Sequence, residues 1–208
     1  MGSRAEEPRP ASTPAQVGTP SASVDSSTAD RTPDAEQSQK PGALVRTAEE
    51  TSWRDLATQG KYGEAVTVAE QEGFESLIAT LSDGDLLLLA NSARFSGRSA
   101  RAKQGFHKLR TRFSGRPAAV LASFYLARLA LDGDHDAQLA ARWFRTYLGE
   151  SPRGELAASA RIELMNILLR AGDQVGARRI AQQYLDYHPA GAHASLARSV
   201  IERVPAQR

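Results

Sequence analysis

Four short strings decide the fold: Gly60-Lys-Tyr-Gly-Glu-Ala65, Gly97-Arg-Ser-Ala-Arg-Ala102, Asp132-Gly-Asp-His-Asp-Ala-Gln-Leu-Ala140 and Gly172-Asp-Gln-Val-Gly-Ala177. Each closes one apolar period of three to four residues and opens the next, as the turn of a helical hairpin requires. Their last residues, Ala65, Ala102, Ala140 and Ala177, stand 37, 38 and 37 apart. Four residues further on come Ala69, Phe106, Phe144 and Ala181, and three beyond those Leu109, Tyr147 and Tyr184 in the last three units. A small residue lets two helices approach closely, and a large one a turn later fills the space beside the contact.

Outward from these strings the chain from Trp53 onward shows no sustained alternation, so helices dominate and no strand is needed. Thr47-Ala-Glu-Glu50 and Ser82-Asp-Gly-Asp85 read as capping boxes that start helices. Pro117, Pro152 and Pro189 read as first helical residues, where a missing N–H costs nothing. The pattern predicts an all-α, right-handed solenoid of about four helix-turn-helix hairpins over residues 47–204, ending in a capping helix from roughly Ala190 to Val204.

Residues 1–46 read differently. The first 50 residues hold six of the ten prolines, twelve Ser or Thr and no aromatic residue. Such a stretch buries too little apolar area to offset its ordering entropy, so a disordered tail is the expectation. The first 50 residues carry a net charge of about −3, against about +5 for the rest.

Composition narrows the function. Without cysteine there is no disulfide framework, thiolate zinc site, Cys nucleophile or lipobox. The longest uncharged, mostly apolar run, Pro117 to Ala127, has 11 residues, too few to span a membrane. Met1-Gly-Ser-Arg-Ala-Glu-Glu-Pro8 has no apolar h-region. The default expectation is therefore cytoplasmic, and a longer gene product with a leader would move it to the periplasm or envelope. His188 and His193 straddle Pro189 and Gly191 and do not make a helical metal pair. Asp132-Gly-Asp-His-Asp136 begins like a calcium loop but has Ala137 where the glycine belongs and Trp143 where the bidentate Glu belongs. No nucleophile, phosphate-loop or dinucleotide motif is present, so neither an enzyme nor a cofactor is expected.

Two surfaces are candidates for a partner. No Asp or Glu occurs from Leu86 to Leu131, while nine Lys or Arg do. On the helix after Gly97, Arg101, Lys108 and Arg112 share one face, suited to an acidic protein or peptide, phosphate or lipid headgroups. Nucleic acid is disfavoured, because no aromatic residue interleaves them for base stacking. The second surface is the strip along the first helix of each hairpin, where Arg54, Asn91, Arg128 and Asn166 recur at 37, 37 and 38, with Arg94 beside Asn91. Asn pairs with a peptide amide through both donor and acceptor, and Arg takes a carboxylate. Ordinary polar surface is the competing reading of both.

Gly60, Tyr62 and Ala65, Phe106 and Phe144, and Pro152 and Pro189 together resemble the tetratricopeptide repeat, although the period is longer than that family's roughly 34 residues. Trp53-Arg-Asp-Leu56, Asp85-Leu-Leu, Ala141-Arg-Trp-Phe144 and Tyr184-Leu-Asp-Tyr-His-Pro-Ala-Gly-Ala-His193 are similar to the helical C-terminal region of FecR-type regulators. They are less specifically similar to periplasmic repeat proteins of the BamD and CpoB type. The resemblance implies a non-catalytic protein-binding scaffold or regulator, or alternatively an envelope-assembly or FecR/sigma-factor-linked signalling module. The FecR β domain and membrane span are not in this chain.

Overall fold

The computed structural model describes residues 51–203, which form ten helices and no strand. The expected tail, the boundary at residue 47, the Thr47–Glu50 cap and residue 204 lie outside the described residues. In chain order the helices are α1 (Trp53–Thr58), α2 (Tyr62–Gln71), α3 (Phe74–Thr80), α4 (Asp83–Phe95), α5 (Ser99–Arg112), α6 (Pro117–Asp132), α7 (Ala137–Glu150), α8 (Ala157–Arg170), α9 (Gln174–Tyr187) and α10 (Ala194–Arg203). They pack as adjacent pairs, α1 on α2, α4 on α5, α6 on α7 and α8 on α9, with α10 against α9. The result is all-α and repeat-like.

The turns explain the pairing. Gly60, Gly97 and Gly172 take φ of +78°, +76° and +77°, the left-handed conformation that glycine adopts without steric cost. In each, the N–H of the next residue reaches back to the preceding helix: Lys61 to the Leu56 carbonyl at 2.9 Å, Arg98 to Ala93 at 2.8 Å and Asp173 to Leu168 at 2.9 Å. That is the Schellman closure, which satisfies otherwise orphaned carbonyls. The third turn has one extra residue and solves the problem otherwise. Gly133 stays right-handed, and His135 takes the positive φ, at 56°. Asp136 then caps α7, its carboxylate accepting from the Leu139 N–H at 2.9 Å.

Ser82 caps α4 as the sequence predicts, accepting from the Asp85 N–H at 3.2 Å, and Pro117 is at the start of α6. The other two prolines do not begin helices. α8 starts five residues after Pro152 and α10 five after Pro189. Both prolines sit in matching loops tied by the same two bonds. The Tyr147 hydroxyl accepts from the Leu156 N–H at 3.2 Å, and the Tyr184 hydroxyl from the His193 N–H at 3.1 Å. Arg161 donates to the Pro152 carbonyl at 2.6 Å, and Arg198 to the Pro189 carbonyl at 2.7 Å. The proline restricts the chain ahead of it, and the arginine from the next helix holds its carbonyl. This corrects the capping helix as well: it begins at Ala194, not Ala190.

Helix α3 has no counterpart in the other pairs. Gly73, at φ +93°, breaks it from α2. Arg112 reaches from α5 to cap its end, donating to the Ile78 and Leu81 carbonyls at 2.9 Å each. Phe74 at its start is buried in the same cluster as Ala69, which stands where α5 and α7 carry Phe106 and Phe144.

Ala65, Ala102, Ala140 and Ala177 are all fully buried, as are Phe106 and Phe144 one turn on. Helices α4 and α5 approach each other closely. A methyl added at Gly105 would lie 2.7 Å from the Ala90 Cβ and 3.3 Å from its Cα, nearer than atoms pack. We therefore expect Gly105→Ala to destabilise the fold even though Ala is favoured over Gly in a helix by about 1 kcal/mol. Ala102→Leu should overpack the same pair and cost about 1 to 3 kcal/mol. Ala100→Leu, exposed on the same helix, should change stability by less than about 0.5 kcal/mol. Urea unfolding of the three variants checks the register, and equal losses at positions 100 and 102 would contradict it.

Candidate partner-binding groove

Asn91 and Arg94 lie one turn apart on α4. The Asn91 Oδ1 accepts from the Arg94 Nε at 3.2 Å, which fixes the guanidinium plane. That plane lies over the rings of Phe95, 4.0 Å from the centroid, and Tyr125 of α6, 4.7 Å away. Phe95 in turn stacks on Tyr62, from the first turn of α2, at 4.9 Å. Together they line an open groove of about 480 Å³ whose wall is completed by Leu87 and Leu88 of α4 and the end of α1. Burial pulls the Arg94 pKa down from its ordinary value, and nearby Arg128 acts in the same direction. Arg94 has no carboxylate partner among the described residues. A half-buried cation set on aromatic faces is suited to an incoming carboxylate or carbonyl.

The remaining strip residues are placed differently. Arg54 is held by both oxygens of Asp85, at 3.0 and 3.1 Å, and lies over the Trp53 ring at 4.6 Å. Arg128 is bonded to Glu163 and pairs with Asp132 at 2.8 Å. Asn166 is half-buried on α8, outside the lining of this groove. Asn91 and Arg94 are thus the two that the fold brings together, while both other arginines already hold carboxylates of their own chain.

The basic zone has the same fate. Arg101 contacts Glu70 at 2.9 Å and Glu75 at 3.1 Å and covers the Phe74 ring. Arg112 caps α3, and Lys108 is half-buried. Arg98 meets Glu70, Lys103 meets Asp134, Arg110 meets both oxygens of Glu150, and Arg116 meets Asp83. The stretch without acids therefore draws its counter-charges from the helices before and after it.

Tyr62, Phe95 and Tyr125 were not legible as a group. They are separated by 33 and 30 residues and lie on three helices. Phe95 is 56% exposed, and only its place at the end of α4, next to Arg94, hinted at a surface role. The three aspartates of the calcium-like string are engaged elsewhere, Asp132 by Arg128, Asp134 by Lys103 and Asp136 by the α7 terminus. Among the described residues no helix is long and apolar enough to cross a membrane. No known protein family matches the chain, and no curated protein matches it either.

The hydrogen bonds from Arg54, with a smaller contribution from Ser82, hold the Asp85 carboxyl below its usual pKa. A depressed carboxylate stabilises the fold above its unfolded pKa of 3.8, and that contribution disappears as pH falls through the lower folded value. Both side chains are more than a third exposed or nearly so, which limits the pair to roughly 0.2 to 1 kcal/mol. Asp85→Asn should lower the melting midpoint slightly at pH 7 and by less at pH 2.5, measured by circular dichroism. An equal loss at both pH values would mean that the carboxylate's charge is not involved.

Proposed function

We propose that this chain is a non-catalytic protein-interaction module: a right-handed, tetratricopeptide-like solenoid of about four hairpins closed by α10. It holds an extended partner segment across the first helices of its hairpins. The period of 37 to 38 residues, with its fully buried alanines, supports the architecture. The observation that carries the function is the groove on α4. An exposed phenylalanine, a tyrosine stacked on it and an arginine without an acidic partner among the described residues stand together on that face. An exposed aromatic ring beside a half-buried arginine is the composition of a binding hot spot. The partner segment sets an apolar side chain against Phe95 and Tyr62 and a carboxylate or carbonyl on Arg94, with Asn91 keeping the guanidinium in place. The alternative of an envelope-assembly or FecR-linked role rests on the sequence resemblance, and gene neighbours distinguish it.

A photoreactive benzoylphenylalanine placed at position 95 should capture a discrete partner in the native host. Arg94→Ala should reduce capture about tenfold with an unchanged melting midpoint, since a lost charged hydrogen bond costs roughly 1 to 3 kcal/mol. Capture that is insensitive to Arg94→Ala, or that occurs only from a probe at position 108, would contradict this reading.

A further inference from the structure

Most arginines of the described residues are engaged. Six are paired with carboxylates (Arg54, Arg98, Arg101, Arg110, Arg116 and Arg128). Others hold carbonyls or lie on rings. Arg142 and Arg145 of α7 and Arg179 of α9 are exposed and have no such partner among the described residues, and these three border one groove. Helices α7 and α9 each pack on α8. The space between them forms two adjoining hollows, of about 350 and 320 Å³, which share Arg145 and Leu168. Leu168 of α8, 6% exposed, lies at the floor with the fully buried Leu164, and the half-buried Leu148 and Ile180 present the apolar walls. The one acid on the lining, Asp173, is taken up by the α9 terminus, accepting from the Gly176 N–H at 2.8 Å.

We propose that this groove is a second docking surface, for an acidic amphipathic helix of a partner protein. The inference stands apart from the α4 groove and survives its failure. An apolar floor flanked by cations that have no counter-charge among the described residues is complementary to a helix with leucines on one face and glutamates along its edges. The lining runs the length of α7, whose 14 residues span about 21 Å, enough for roughly four turns of a docked helix. A flat lipid surface does not reach a floor recessed between two helices, and a nucleic acid brings no aliphatic side chain to it. Gly149, on the lining near the end of α7, borders open space: a Cβ built there meets nothing within 4 Å.

The probe is a fluorescein-labelled 14-residue peptide with Leu at helical spacing and Glu on the flanks, titrated with the full chain at low salt and followed by anisotropy. Saturable binding is expected. It should weaken at least tenfold in the double variant Arg142→Glu with Arg145→Glu, and similarly in Gly149→Leu, which fills the groove without altering charge. Arg170→Glu, an exposed arginine of α8 outside the groove, should leave it unchanged. Peptides with Gln for Glu, or Ser for Leu, should bind at least tenfold more weakly, and this arm reads the proposal even if a protein variant fails to fold. Absence of saturable binding overturns the proposal, as does equal binding of the Gln or Ser peptide or insensitivity to both groove variants. Phosphatidylserine vesicles or a DNA duplex that depend on Arg142 and Arg145 while the peptide does not bind would also overturn it, assigning the surface to another class of partner.

Discussion

Helix α6 is apolar on more than one face, and its two sides belong to different cores. Ala118, Ala122, Leu126 and Leu129 pack with the helices from α1 to α5, whereas Phe124, Ala127 and Ala130 pack with those from α7 to α10. Tyr125 of α6 and Trp143 of α7 touch both cores. No single pair of helices buries enough area to stand alone, so each pair depends on the next, and α6 is where the two halves join. The groove on α4 depends on the same helix, since Tyr125, which covers Arg94, projects from α6.

The sequence pattern carried much of this fold because its signals are local. A small residue at a fixed interval, a glycine in a tight turn and a serine three residues before an aspartate act within a few residues, and the structure places them as read. What it did not carry were devices that depend on a distant partner. The tyrosine–proline–arginine loops resemble helix starts in sequence, because Pro at a first helical turn and Pro in a loop look alike without the hydroxyl that closes the loop nine residues on. Helix α3 is visible only once Arg112 is seen to hold its end, 34 and 31 residues away.

The same distinction governs the sites. Arg54 and Arg128 are in register with Asn91 and carry the same guanidinium as Arg94, but each has an acid from the neighbouring helix pair within reach, Asp85 at a separation of 31 residues and Glu163 at 35. A charge that looks unbalanced along the chain is balanced across the stack. These exposed pairs add little stability individually, yet they decide which cations remain for a partner. Arg94 keeps its vacancy because its surroundings are rings and an amide, and no acidic side chain reaches it among the described residues.

If α6 joins the two cores into one cooperative block, native-state hydrogen exchange resolved by residue gives the most direct reading. The account predicts that the slowest amides of α4 and α5 and those of α8 and α9 exchange through a single opening of equal free energy and equal denaturant dependence. Two separate openings divided at α6, with the earlier helices released while the later ones remain protected, would contradict it.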